Sequence, residues 1–263
     1  MKKSALIIGA ILLVVVGIVA IKALKKPATQ KASDNTPIEL PLNTLPLSER
    51  PYITLAPDST GRSLDLTVAG APTTTDLEYE LIYQADGKQE GAIGTLYLKT
   101  EKQPLTKSIL LGSKSGGGKV TYHEGVTGGS FTVTYGETRL KESWNFLKFN
   151  PLDPTISSTD GKFSVTLDKT TLKKDQMIII MKSFGYPQLE GKVVAGPYHY
   201  STQTPVKGNV TVSIKLPAGE HVNPTLYGYD GKTWGKLPGK LDGDTVTASS
   251  IPTTTSTFLV TAE

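Results

Sequence analysis

Residues 77–87 read LEYELIYQADG. Leu77, Tyr79, Leu81 and Tyr83 alternate with Glu78, Glu80 and Gln84, with Ile82 the one apolar residue out of step. A period of two sends one set of side chains to a buried face and the other to water, the pattern of a half-buried antiparallel strand. Ala85-Asp86-Gly87 follows as a turn signal. Working outward, Leu64, Leu66 and Val68 alternate with Ser63, Asp65 and Thr67, and Phe131, Val133 and Tyr135 repeat the pattern. Gly125 and Gly128-Gly129 punctuate the intervals.

This spacing predicts seven strands, near residues 52–56, 63–69, 76–84, 92–99, 106–112, 129–135 and 140–149. Seven short strands in about 100 residues predict an immunoglobulin-like β-sandwich over residues 51–150. Trp144, Phe146 and Phe149 then serve as core and sheet-edge aromatics. Asn150-Pro151-Leu152-Asp153-Pro154 ends the last strand, because proline cannot donate to a ladder and restricts its predecessor. A second β series occupies residues 155–263. Phe163 to Leu167 and Val210 to Leu216 alternate, whereas Met177 to Met181 is apolar throughout, as in a strand buried on both faces. Asp230-Gly231 and Asp242-Gly243 predict two more hairpin turns.

At the other end, Ala5 to Ile21 is an unbroken run of small or apolar residues, and residues 5–24 are about long enough to cross a bilayer's hydrocarbon core. Lys22 is then placed to snorkel. Small residues are missing where a signal peptidase cuts, and no cysteine follows for lipid attachment, so the segment reads as an uncleaved signal-anchor. Residues 1–4 form a cytoplasmic tail. Residues 25–50, with Pro27, Pro37, Pro41 and Pro46, form a semi-extended linker. Positive charge is nearly balanced across the anchor, so the short tail and the β-rich remainder decide the orientation: N-terminus cytoplasmic, residues 27–263 outside the cell membrane. The expected fold is therefore an all-β ectodomain of two tandem antiparallel β-sandwiches after one N-terminal transmembrane helix.

Charge excludes one class of function. The chain has 28 basic and 24 acidic residues, but five lysines lie in the first 26 residues, which hold no acid. The remaining 23 basic residues are balanced by the 24 acidic ones. The ectodomain has no basic excess with which to bind nucleic acid. There is no cysteine for disulfides or thiolate metal sites.

The segments FSVTLDKTTLKKDQMIII, VAGPYHYS, PVKGNVTVSIKLP, PTLYGYDGKTWGKLPGKLDGDTVTA and STFLV, in that order, resemble the ZU5-like β-sandwich over about residues 158–263. The most specific part runs from Tyr227 to Trp234, then Asp242 to Thr247 and Ser256 to Phe258. The resemblance implies a module of large surface proteins or scaffold and receptor chains. Some relatives cut their own chain at a His-Phe-Ser tripeptide before the last strand. The matching positions here are Thr254, Thr255 and Ser256, so the hydroxyl is present and the histidine base is absent.

Other chemistry is thin. Gly112 to Lys119 has the glycines of a phosphate loop, but Ser113 and Val120 occupy its key positions and a strand follows where a helix belongs. It reads as a hairpin tip. His123, His199 and His221 lie in separate segments without ligand spacing, and His199, between Tyr198 and Tyr200, points to one face of a strand and is expected at the surface or half-buried. Asp58, Asp65, Asp86, Asp160, Asp242 and Asp244 fall near turns, without a calcium-loop pattern. No catalytic, cofactor-binding or metal residue is assigned, and no cofactor. The expected function is binding or structural at a bacterial cell surface. Its partners are the bilayer through residues 5–24 and a surface protein or polysaccharide. The alternatives are a cell-envelope hydrolase acting on peptide or peptidoglycan, and an accessory subunit of an envelope complex.

Overall fold

The computed structural model describes residues 40–167 and 172–263; the expected anchor at 5–24 and the linker up to residue 39 lie outside the described residues. Apart from one 3-10 turn at Leu47–Glu49, regular structure among the described residues is β, and every ladder between strands is antiparallel. None of these residues forms a helix long and apolar enough to cross a membrane.

The first nine strands are β1 (Tyr52–Pro57), β2 (Ser63–Ala69), β3 (Leu77–Ala85), β4 (Lys88–Leu96), β5 (Leu105–Leu110), β6 (Gly112–Lys114), β7 (Val120–Tyr122), β8 (Gly128–Tyr135) and β9 (Thr138–Lys148). After a turn come β10 (Thr155–Ser157), β11 (Phe163–Leu167), β12 (Met177–Lys182), β13 (Lys192–Thr202) and β14 (Asn209–Lys215). The chain closes with β15 (Thr225–Tyr229), β16 (Trp234–Lys236), β17 (Lys240–Asp242), β18 (Thr245–Pro252) and β19 (Thr257–Ala262). Among the described residues, nine strands make one sheet in the order β16-β15-β19-β13-β12-β9-β8-β3-β4. Two smaller sheets, β1-β2-β5 and β10-β11-β14-β18-β17, accompany it, with β6-β7 as a separate hairpin.

The apolar strand β12 explains the architecture. Ile178, Ile179, Ile180 and Met181 are all fully buried. Ile179 and Met181 enter a core with β1, β2, β3 and β8, whereas Ile178 and Ile180 enter a core with β11, β14 and β18. Successive strand residues point to opposite faces. The two small sheets therefore pack on opposite faces of the large sheet where β12 lies. Double burial was legible in the sequence; that both cores use the same strand was not.

The turn at Asn150–Pro154 closes on itself. Asp153 N–H donates to the Asn150 carbonyl at 3.0 Å and Leu152 N–H to Asn150 Oδ1 at 3.1 Å. The chain then re-enters the same sheet, because β12 pairs with β9 from Met177↔Lys148 to Met181↔Trp144. Residues 40–263 are one compact unit. Residues 42–50, expected within an unpacked linker, are instead tied to the body. Asn43 exchanges side-chain hydrogen bonds with the Lys141 backbone at 3.0 Å each way, and Arg50 donates to the carbonyls of Leu45 and Asn43 at 2.8 Å. Trp144, Phe146 and Phe149 are all core residues, the last in the second core.

The turns divide by their local chemistry. Asp86 and Gly87 have φ of +46° and +74° between the paired residues Ala85 and Lys88, so the turn expected there is a two-residue one. The Asp230-Gly231 hairpin is wider, with Tyr229 paired to Trp234 across four residues. Asp230 Oδ1 accepts from the N–H groups of Lys232 and Thr233 at 2.8 Å, an Asx-type cap that stabilises the longer loop. In the third hairpin Asp242 pairs with Thr245, so the loop is Gly243-Asp244, one residue later than expected.

Candidate functional site

A cleft of about 890 Å³ opens where β1 and β2 meet the β12–β13 connection and the β15–β16 hairpin. Tyr52 and Thr54 of β1 form one side, Tyr186 to Leu189 another, and Tyr229 with Gly231 a third. Trp234 stands behind the tyrosines. Its ring lies 5.2 Å from that of Tyr229 and 6.5 Å from that of Tyr186, and Tyr229 meets Tyr52 edge-on at 5.8 Å. The indole N–H donates to the Pro187 carbonyl at 3.0 Å, fixing the β12–β13 connection to the hairpin.

Packing holds that connection in place. Ser183 Oγ lies 2.8 Å from the Gly185 carbonyl and 3.1 Å from the Ile53 carbonyl, with its one proton to share between them, and Phe184 packs edge-on against Phe131 at 5.4 Å. Gly185 is required by proximity: a Cβ there would collide with the Arg50 carbonyl oxygen. The cleft wall is thus a rigid extension of the core rather than a free loop.

The electrostatics are nearly neutral. Burial raises the Tyr186 and Tyr229 phenols above their ordinary value, with Asp230 adding to the effect at Tyr229. Burial pushes Tyr52 up to about 12, so all three phenols stay protonated at neutral pH. The Tyr52 and Thr257 hydroxyls lie 2.8 Å apart. Of the charged residues lining the cleft, Arg50 is committed to two backbone carbonyls and sits 3.7 Å from Glu142, while Glu49 is exposed at the rim.

His199 lies behind Tyr52. It was expected at the surface or half-buried and is instead buried, because β1 packs over the face of β13 opposite Tyr198 and Tyr200. Its Nδ1 is 2.9 Å from Thr257 Oγ1, giving a file of Tyr52, Thr257 and His199. Desolvation lowers His199 to about 4, so the imidazole is neutral. Thr257 is fully buried. The file braces the floor of the cleft and offers no nucleophile to a ligand.

The other histidines are elsewhere. His123 Nδ1 lies 2.9 Å from the Tyr83 hydroxyl, and the half-buried His221 donates to the Pro217 carbonyl at 2.9 Å. Among the described residues no group of three His, Cys, Asp or Glu side chains is placed to hold a metal. Asp58, Asp160 and Asp244 bond to groups of their own turns or neighbouring strands. Gly112 to Lys119 falls on the β6–β7 hairpin, where Ser115 and Lys119 bond across the tip. Ser256 is held on both sides, its N–H donating to the Tyr229 carbonyl at 3.0 Å and its carbonyl accepting from Tyr200 N–H at 2.9 Å. The Thr255-Ser256 bond therefore lies in a hydrogen-bonded turn just before β19, and the buried His199 contacts Thr257, the residue after Ser256.

A second polar cavity, about 230 Å³, is lined by Glu142, Asp160 and Lys182. Burial raises Glu142 to about 7 despite Lys182 and Arg50 pulling the other way. Asp160 is lowered, against its own burial, by hydrogen bonds from Ser158, the Lys162 backbone and Tyr198. With both oxygens so engaged, Asp160 is a structural brace. Sequence reasoning passed over the cleft because its aromatics come from segments more than forty residues apart; the only local signal was their density around Tyr186-Pro187 and Tyr227 to Trp234.

Comparison of the chain with protein-family models, with curated proteins and with solved structures gives no match.

Proposed function

We propose that the protein is a membrane-anchored binding protein of the bacterial cell surface, and that its tyrosine-walled cleft holds a segment of neutral polysaccharide. In this reading residues 5–24 are the anchor, and residues 27–263 stand outside the membrane as two sandwiches that share their central sheet. The ZU5-like resemblance of residues 158–263 accords with such a surface role. The observation that carries the ligand class is the convergence of Tyr52, Tyr186 and Tyr229 on one cleft, backed by Trp234. A sugar ring has an apolar C–H face and a rim of hydroxyls. Tyrosine matches both, with a flat apolar ring and a polar tip. The volume lies within the range of small-ligand clefts, and the near absence of free charge favours a neutral ligand.

The test is titration of the full-length protein with oligosaccharides from bacterial cell-wall polymers, followed by calorimetry or NMR. Tyr229→Ala is expected to weaken binding by about tenfold or more, the loss of roughly 1.4 kcal/mol of contact. Saccharide binding unaffected by Tyr229→Ala, or no binding by any neutral saccharide, sinks the cleft assignment. The topology has its own test. Protease added outside spheroplasts is expected to digest residues 27–263, and a protected β body reverses the orientation.

A further inference from the structure

We propose that β4 is a self-association seam, pairing antiparallel with β4 of a second copy about a two-fold axis through Ala92.

Exposed strand edges invite pairing, and folded proteins blunt them with short strands, prolines, bulges or charge. Most edges among the described residues are blunted so. Strands β16, β10 and β17 are three residues each; β1 ends on Pro57; β5 is entered from Pro104 and carries Lys107 at its middle. Strand β4 is different. It is nine residues long, lacks proline, and pairs with β3 from end to end without a register shift. Its two charges, Lys88 and Glu90, lie within its first three residues, and Ile93 is 80% exposed.

The outward hydrogen-bonding groups can be assigned. The two-residue turn makes Ala85↔Lys88 a hydrogen-bonded rung, so Lys88, Glu90, Ala92 and Gly94 bond inward to β3. The Gln84 carbonyl agrees, since it faces away from β4 and accepts from Thr127 N–H at 3.1 Å. The N–H and C=O groups of Gln89, Gly91, Ile93 and Thr95 therefore point away from the sheet.

The sequence of β4 is self-complementary in the register that pairs all nine residues. That register sets Ala92 against itself, Gly91 against Ile93, Glu90 against Gly94, Gln89 against Thr95 and Lys88 against Leu96. Outward groups meet outward groups, giving about eight new hydrogen bonds. No charge faces a like charge, which would cost stability. Each exposed Ile93 lies over a Gly91 of the second copy, whose missing side chain leaves room, and meets Ile82. Ile82 Cδ1 already leans to within 3.1 Å of where a Cβ of Gly91 would stand. The second copy thus covers an isoleucine that is otherwise in water.

The absence of cysteine makes the test clean. Ala92 faces its twin across a non-hydrogen-bonded rung, with Cα atoms about 4.5 Å apart, within disulfide range. In the full-length chain in detergent at low micromolar concentration, Ala92→Cys is expected to oxidise mostly to a covalent dimer. Leu152→Cys, at a 90% exposed position remote in sequence from β4, reports random collision and is expected to stay mostly monomeric. Adding Ile93→Lys to Ala92→Cys is expected to cut the cross-linked yield about tenfold, by setting a lysine against the apolar seam. Light scattering of the cysteine-free chain is expected to give twice the chain mass, falling to once with Ile93→Lys. A monomer at tens of micromolar, equal cross-linking at the two cysteines, or a dimer indifferent to Ile93→Lys overturns the proposal.

Discussion

Expressed apart, residues 40–150 and 155–263 are expected to be unfolded or insoluble, and expressed together they are expected to recover a soluble β-rich complex. The cut falls at the exposed turn between β9 and β10, yet the cores do not divide there. Ile179, Met181 and Phe184 lie in the core built mainly by the first half, and Phe149 lies in the core built by the second. At about 1.5–3 kcal/mol per fully buried side chain, the three residues lost to the first half are worth roughly 5–9 kcal/mol. That matches the whole stability of an ordinary domain. The cut also exposes the β9 edge that β12 covers, a fresh site for aggregation. Circular dichroism and solubility of each fragment, alone and co-expressed, give the answer. A cooperative melt from either fragment alone would show that its core closes without the shared strand.

What the sequence made legible was local. The period of two placed seven of the first nine strands within a few residues, missing the short β6–β7 hairpin, and Ala85-Asp86-Gly87 marked a turn. The run Met177 to Met181 announced burial on both faces. The partners of that run were hidden, since alternation says which way a side chain points and nothing about what lies there. His199 shows the same limit. Its position between Tyr198 and Tyr200 correctly set it on the opposite face of β13, and the expectation of a surface or half-buried site failed because β1, nearly 150 residues earlier, covers that face. Asp230-Gly231 failed for a different reason. The aspartate's affinity for nearby backbone N–H groups stabilises a four-residue loop, so the dipeptide alone does not select the two-residue turn. The cleft needed three remote segments to converge, which no local pattern encodes.

The second large effect is in the pH dependence of stability, where two buried groups oppose each other. Burial lowers His199 from 6.5 to about 4, so the folded chain takes up that proton less readily than the unfolded chain. Its contribution is complete above about pH 6.5 and is lost as the pH falls toward 4. Burial raises Glu142 from 4.5 to about 7. Its contribution is complete below pH 4.5 and is lost as the pH rises through 7. Each is worth on the order of 3 kcal/mol at its limit. Over the shared window the two nearly cancel, so urea unfolding of the unmodified protein is expected to change little between pH 4.5 and 6.5. Single variants separate them. Glu142→Gln leaves His199 alone, and stability is expected to fall by about 3 kcal/mol from pH 7 to pH 4. His199→Asn leaves Glu142, and stability is expected to rise by a similar amount over the same range. Asp58 and Asp160, both lowered, release their own contributions only below about pH 3.8, outside this window. Parallel pH profiles for the two variants would mean that one of these groups is hydrated in solution. For His199 that would open the Tyr52–Thr257–His199 file to water and loosen the floor of the cleft that the tyrosines wall.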